Sequence, residues 1–139
     1  PTAIKRGIAN KPNDLEINNM IALCENVLEP LRDWLNEGSR KKVGIKISSG
    51  YRSSALNDLI GGSKSSQHKT GQAADIDLGD KNAEAFAYIR ENLEFDQMIW
   101  EFGNDKQPNW IHVSFAKNSN RKMCMRAISA YGKTKYEHI

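Results

Sequence analysis

His68 and Asp75 stand seven positions apart in Ser66-Gln67-His68-Lys69-Thr70-Gly71-Gln72-Ala73-Ala74-Asp75, with small and polar residues between them. That interval suits a turn that returns an imidazole and a carboxylate to one place. The second of the three histidines, His112, sits in Trp110-Ile111-His112-Val113-Ser114-Phe115, an alternating run that reads as a strand. Two imidazoles and one carboxylate make a three-ligand set for one zinc ion with a fourth position left for water, the arrangement of catalytic rather than structural zinc. Spacing alone does not single this out, because a His and an Asp in one loop are more often solvated or hydrogen-bonded.

Further motifs surround these residues. Ser66-x-His68-x-x-Gly71-x-Ala73-x-Asp75 is preceded by Ser49-Gly50-Tyr51-Arg52 and followed by Trp110-x-His112-x-Ser114. In this order and over about Asn13 to Phe115, the chain resembles the zinc D-Ala-D-Ala carboxypeptidase family (peptidase M15-like), and most closely its short phage and bacterial peptidoglycan-peptidase branch. The resemblance implies the hedgehog/DD-peptidase fold, one Zn2+ held by His68, Asp75 and His112, and hydrolysis of the D-amino-acid-containing stem peptides of peptidoglycan. The expected activity is that of a carboxypeptidase or an endopeptidase, such as a phage endolysin.

Amide hydrolysis at such a metal needs a base that takes a proton from water and hands it to the leaving nitrogen. In many members of that family the base is a Glu three residues before the last His ligand. Here that position is Asn109, which cannot carry a proton. The best replacement is Glu101, on a run expected to pair with the His112 strand; Asp96 and Asp77 are weaker rivals, better read as structural. Arg52, by the same resemblance, faces the scissile carbonyl or the substrate's carboxylate, a task suited to a planar, permanently charged fork. Ser66 resembles a substrate-contacting serine, though it can equally hold the loop. Tyr51 and Trp110 are expected to wall the cleft, or to be plain packing aromatics. His138, close to the end, is expected to be exposed and without a role. A second reading keeps the scaffold and drops the chemistry: a non-catalytic zinc-bearing binding module, as in hedgehog signalling domains, which Asn109 favours.

These residues need elements to position them. Asn13 or Asp14 can cap a helix to about Glu37, with Glu16 closing a capping box if Asn13 is the cap. Ile17, Met20, Ile21, Cys24, Val27, Leu28, Leu31, Trp34 and Leu35 form its apolar stripe, interrupted by Pro30, which should kink or split it near Leu28. Val43, Ile45 and Ile47 alternate with Gly44, Lys46 and Ser48, which predicts a first strand with one buried face. Ser53 or Ser54 caps a short helix through Leu59. Ala74, Ile76 and Leu78 alternate with Asp75 and Asp77, so Asp75 belongs to a second strand and points away from its apolar face. Asp80 or Asn82 caps a helix to about Asn92 with Ala85, Phe86 and Ile89 inward. Gln97–Phe102 and Trp110–Phe115 read as an antiparallel pair. The tail alternates Met123, Met125 and Ala127 with charges and suggests an edge strand, frayed from Gly132 onward. The fold class is therefore α+β, a mainly antiparallel sheet with helices packed on one face and the metal on the other.

At 139 residues the chain is expected to be one domain, with a core over about 13–116 and a basic tail over 117–139. Hydrophobic residues make up 39% and charged residues 27%, ordinary for a globular protein. Lys117, Arg121, Lys122, Arg126, Lys133 and Lys135 against Glu137 give the tail a local +5, leaving −2 for the rest out of the total +3. Such a tail can attract anionic wall polymers or be a solvated edge. It lacks the interleaved aromatics and motifs of a nucleic-acid binder, so nucleic acid is not an expected partner. No apolar run approaches a membrane span, and Pro1–Arg6 has no apolar core of a signal peptide. The expectation is a monomer made in the cytoplasm and acting at the cell wall, in the periplasm or outside. Cys24 and Cys124 have no metal-type spacing, and Cys24 is expected to be a buried free thiol.

Overall fold

The computed structural model describes residues 1–139. Its six strands lie in the order β1-β2-β4-β3-β5-β6. They are β1 (Lys46–Ser49), β2 (Ala73–Asp77), β3 (Gln97–Glu101), β4 (Trp110–Ser114), β5 (Met123–Ala130) and β6 (Lys133–His138). Every neighbouring pair is antiparallel except β3 and β5, which run parallel. One face carries the helices and the apolar core; the other carries the site. This is the expected α+β layering. No helix is long and apolar enough to cross a membrane.

After a short α1 (Thr2–Lys5), the long helix forms as α2 (Asp14–Leu23), a π turn (Cys24–Leu28) and α3 (Glu29–Leu35) in unbroken succession. Asn13 and Glu16 make the full capping box at its start. Pro30 lacks an N–H, and the wider π turn just before it absorbs the missing bond without a break. That turn also corrects the apolar stripe. An i→i+5 step brings Ala22 under Val27 and Leu23 under Leu28, and these four are buried with Leu31. Ile17, Ile21 and Cys24 rotate outward and are exposed. A strict 3.6-residue period could not anticipate the phase change.

Beyond the short α4 (Ser54–Leu59), capped by Ser53, α5 (Asn82–Asn92) packs beside α3 on the same sheet face through Ala85, Phe86 and Ile89. Trp34 stacks on Tyr88 with centroids 4.7 Å apart, and the Phe86 edge meets Trp100 of β3 at 5.4 Å. Ile76, Ile111, Val113 and Met98 complete the core from the sheet. Asn82 does not cap α5; its Oδ1 accepts instead from the Leu78 N–H at 2.7 Å. The first strand is also shorter than expected. It begins at Lys46, and Val43 and Ile47 are about half exposed because β1 is an edge strand with no helix over it.

The tail departs furthest from expectation. It adds two strands rather than one, and the segment after Gly132 is an ordered hairpin arm paired from Lys133 to His138. Tyr131 and Gly132 form its two-residue loop with φ of 50° and 74°. Two successive positive φ values suit the twist of an antiparallel hairpin.

Candidate active site

The site is written into the sheet register. Asp75 of β2 is the partner of His112 of β4, and His112 is in turn the partner of Ile99 of β3. Glu101, two residues beyond Ile99, therefore points to the same face. His68 arrives from outside the sheet, on a short 3-10 turn (Gln67–Thr70) capped by the Ser66 hydroxyl. Gly71 ends that turn at φ 72°, and a Cβ there would lie 2.4 Å from the Glu16 carbonyl of α2. Only glycine lets the loop sit this close to the helix.

His68, Asp75 and His112 are all buried, and one ligand atom from each lies within 4.8 Å of the others. His68 Nε2 is 3.2 Å and His112 Nδ1 3.1 Å from the same Asp75 Oδ1. The remaining His68 nitrogen, Nδ1, donates to the Gly50 carbonyl at 2.8 Å; a carbonyl only accepts, so that nitrogen carries the hydrogen. With Nδ1 so engaged, Nε2 is the nitrogen that faces the carboxylate, at a spacing a shared cation would fit. Ligands 2.0–2.2 Å from a tetrahedral ion lie about 3.3–3.6 Å apart, slightly more than the two separations from Asp75 Oδ1. The three side chains can hold a metal ion.

Protonation states agree. Burial pushes the His112 pKa down against the pull of Asp75, favouring the neutral ring that ligates. Burial alone would raise the Asp75 carboxyl, but the imidazoles of His112 and His68 more than reverse that, and it stays ionised. Its second oxygen, Oδ2, accepts from Arg52 Nη2 at 2.7 Å, and Arg52 Nε donates to Ser49 Oγ at 2.7 Å. The Arg52 N–H also donates to the His68 carbonyl at 3.0 Å. The segments bearing Gly50–Arg52 and His68 thus clamp each other.

Glu101 is buried in the same cleft. Burial first, then the charge of Asp75, pushes its carboxyl up to about 7, with Arg52 opposing. A carboxyl so placed exchanges protons readily at neutral pH. The cleft has a volume of about 730 Å³. Arg52, Ser66, Glu101 and Trp110 all line it together with His68, Asp75 and His112. Trp110 leans on Phe102 with centroids 5.4 Å apart.

Tyr51 is not on the cleft wall. Its phenol lies by α2, where burial and the Glu16 carboxylate raise its pKa. Asn109 is exposed and also off the wall. Asp96 is consumed by structure: both oxygens bind Arg121, and Oδ2 also accepts from Gln67 at 2.8 Å. Asp77 accepts from the Gly79 N–H and from Asn82. His138 is exposed.

Sequence reasoning missed the far wall. Gln97, Arg121, Met125, Thr134 and Tyr136 line the cleft, four of them from the tail. The available signal was alternation on either side of Tyr131-Gly132, muted because tyrosine is a poor advertisement for a positive-φ turn.

The model of the family described as Peptidase M15 matches residues 2–114. That span contains His68, Asp75, His112, Arg52 and Glu101 and ends before the β5–β6 hairpin. No curated protein matches the chain.

Proposed function

The chain belongs to the peptidase M15 family, and from that premise we propose that it is a zinc-dependent hydrolase of the D-amino-acid-containing stem peptides of peptidoglycan. It cuts as a D-Ala-D-Ala carboxypeptidase or as an endopeptidase, and acts at the cell wall. The observation that carries this reading is a buried carboxylate, Glu101, sharing one cleft with a convergent His68–Asp75–His112 set.

His68, Asp75 and His112 would hold the zinc through His68 Nε2, Asp75 Oδ1 and His112 Nδ1. Bound there, zinc supplies Lewis acidity, polarising a carbonyl oxygen and lowering the pKa of water toward about 7. Glu101 takes the proton of the attacking water and returns it to the amide nitrogen as the C–N bond breaks. Arg52, fixed by Ser49 and Asp75, faces the scissile carbonyl or a substrate carboxylate with its remaining N–H groups. Ser66 and Trp110 contact the peptide from the loop side and the β4 side of the cleft. Gly50 fixes the His68 tautomer, which keeps Nε2 free for the metal.

The presence of Glu101 in the cleft weighs against a binding module without turnover, since the exposed Asn109 leaves no gap that Glu101 does not fill. The deciding experiment measures zinc content and release of D-Ala or cut stems from wall fragments, before and after chelation. One zinc per chain and chelator-sensitive release are expected. A His68→Ala protein with undiminished activity would sink the reading.

A further inference from the structure

The tail hairpin places two hydroxyls beside the metal-facing cluster. Tyr136 of β6 pairs across the sheet with Ala127 of β5, and Ala127 with Glu101 of β3. Ala127 is wholly buried and has only a methyl group, so nothing on the intervening strand rises between Tyr136 and Glu101. Thr134 stands two residues earlier and lines the same cleft. Side-chain hydrogen bonding on β6 joins Lys135 to Glu137 on the other face; the Thr134 and Tyr136 hydroxyls take no part in it. The Tyr136 ring is about half exposed. Its phenol is kept protonated by burial and then by the charges of Glu101 and Asp75, so it is a donor throughout the neutral range.

We propose that Thr134 and Tyr136 form a peptide-binding ledge along the cleft, with the Tyr136 hydroxyl donating to a backbone carbonyl of the peptide next to the bond being cut. Alternate residues of a strand are about 6.6 Å apart, the same repeat as alternate carbonyls of an extended peptide. Two donors at that interval fix both the direction and the register of a chain lying in the cleft. The opposite wall, Gly61 to Ser66, is loop, and it leaves the strand-paired β6 side to set position. The ledge rests on the peptidase reading for the identity of its peptide, but its existence is a matter of binding and not of turnover.

The test therefore separates the two. The zinc-loaded Glu101→Gln protein is titrated with a stem pentapeptide ending in D-Ala-D-Ala, with and without Tyr136→Phe, and Tyr131→Phe at the exposed hairpin tip as the control. Loss of one hydrogen bond predicts affinity about five- to tenfold weaker for Tyr136→Phe, with zinc content and melting temperature unmoved and the Tyr131→Phe affinity unchanged. In the Glu101→Gln background, equal affinity with and without the phenol overturns the ledge, as does failure of the pentapeptide to bind any variant. Tight binding that needs Tyr136, from a wild-type protein that cuts nothing, supports the ledge and removes the hydrolase reading alone.

Discussion

Arg52 Nη2 lies 2.7 Å from Asp75 Oδ2, while Asp75 Oδ1 faces both imidazoles. One carboxylate is thereby divided between two tasks, an oxygen toward the two imidazoles with which it could share a metal ion and an oxygen toward the guanidinium. The pairing turns Asp75 and places Arg52 at once. Arg52→Lys keeps the charge and loses the fork, so Asp75 is free to rotate and Ser49 loses its donor. Metal affinity or activity should fall about 10–100-fold, the usual cost of losing a group that orients a metal ligand. Competition with a chromophoric chelator checks the affinity, and a lysine variant with wild-type zinc affinity and turnover would show that the fork is dispensable.

Glu101→Gln should retain zinc and lose hydrolysis by about 10²–10⁴-fold, the range for a missing acid–base group. The same substitution has a signature in the metal-free protein. The folded-state carboxyl lies near 7, above its ordinary 4.5. Its contribution to stability is therefore complete below about 4.5 and is lost as pH rises through about 7. The loss reaches up to about 3 kcal/mol across that window. Thermal melts of the metal-free protein from pH 4 to pH 8 should show this decline, and Glu101→Gln should flatten it. A bound cation favours the ionised form, so it draws the folded-state pKa back toward the ordinary value and should shrink the decline or abolish it.

Asp96 ties the metal loop to the tail: it accepts from Gln67 beside His68 and from Arg121. The Arg121 side chain, first, holds its carboxyl down to about 2. A depressed carboxyl stabilises the fold above its unfolded pKa near 3.9, and that stability drains away as pH falls toward about 2. The contribution is at most about 2 kcal/mol, because Arg121 itself is more than half exposed. Asp96→Asn should lower the melting temperature at pH 7 and leave it nearly unchanged at pH 2. An equal drop at both pH values would assign the effect to packing instead of charge.

Alternation put Asp75 and His112 on the polar faces of two strands, but it was the resemblance to the zinc carboxypeptidase family that joined them with His68, which comes from a turn outside the sheet, into one set. The expected pairing put Glu101 on the strand beside His112, and the observed register sets it on the face of β3 that carries Ile99. What hid was structure set by distant neighbours. The outward turn of Ile17 and Ile21 follows from a π turn that exists because Pro30 lacks an N–H seven residues beyond Leu23. Edge exposure of Ile47 follows from the absence of a helix above β1, which no local pattern encodes. The tail wall is a matter of topology too. β5 joins β3 in parallel, a pairing chosen by the whole sheet, and only then can Tyr136 reach the cleft.

Gly71 couples the metal loop to the long helix. Its φ of 72° is costly for any residue with a side chain, and an added methyl would sit 2.4 Å from the Glu16 carbonyl, a backbone atom that cannot swing aside. Asn19 reinforces the contact by donating to the Thr70 carbonyl at 2.9 Å. Gly71→Ala should cost about 1–2 kcal/mol from conformation alone, and relief of the clash must push the Gln67–Thr70 turn off α2. Displacing that turn moves His68 Nε2 away from Asp75 Oδ1, so zinc affinity should fall along with stability. Asn19→Ala removes the hydrogen bond without the clash and should lower stability only slightly, with zinc affinity near wild type. Isothermal titration of both variants with zinc, beside their melts, distinguishes the loop as a positioning device from the loop as mere packing. If Gly71→Ala binds zinc as tightly as the wild type, the helix does not set the place of His68.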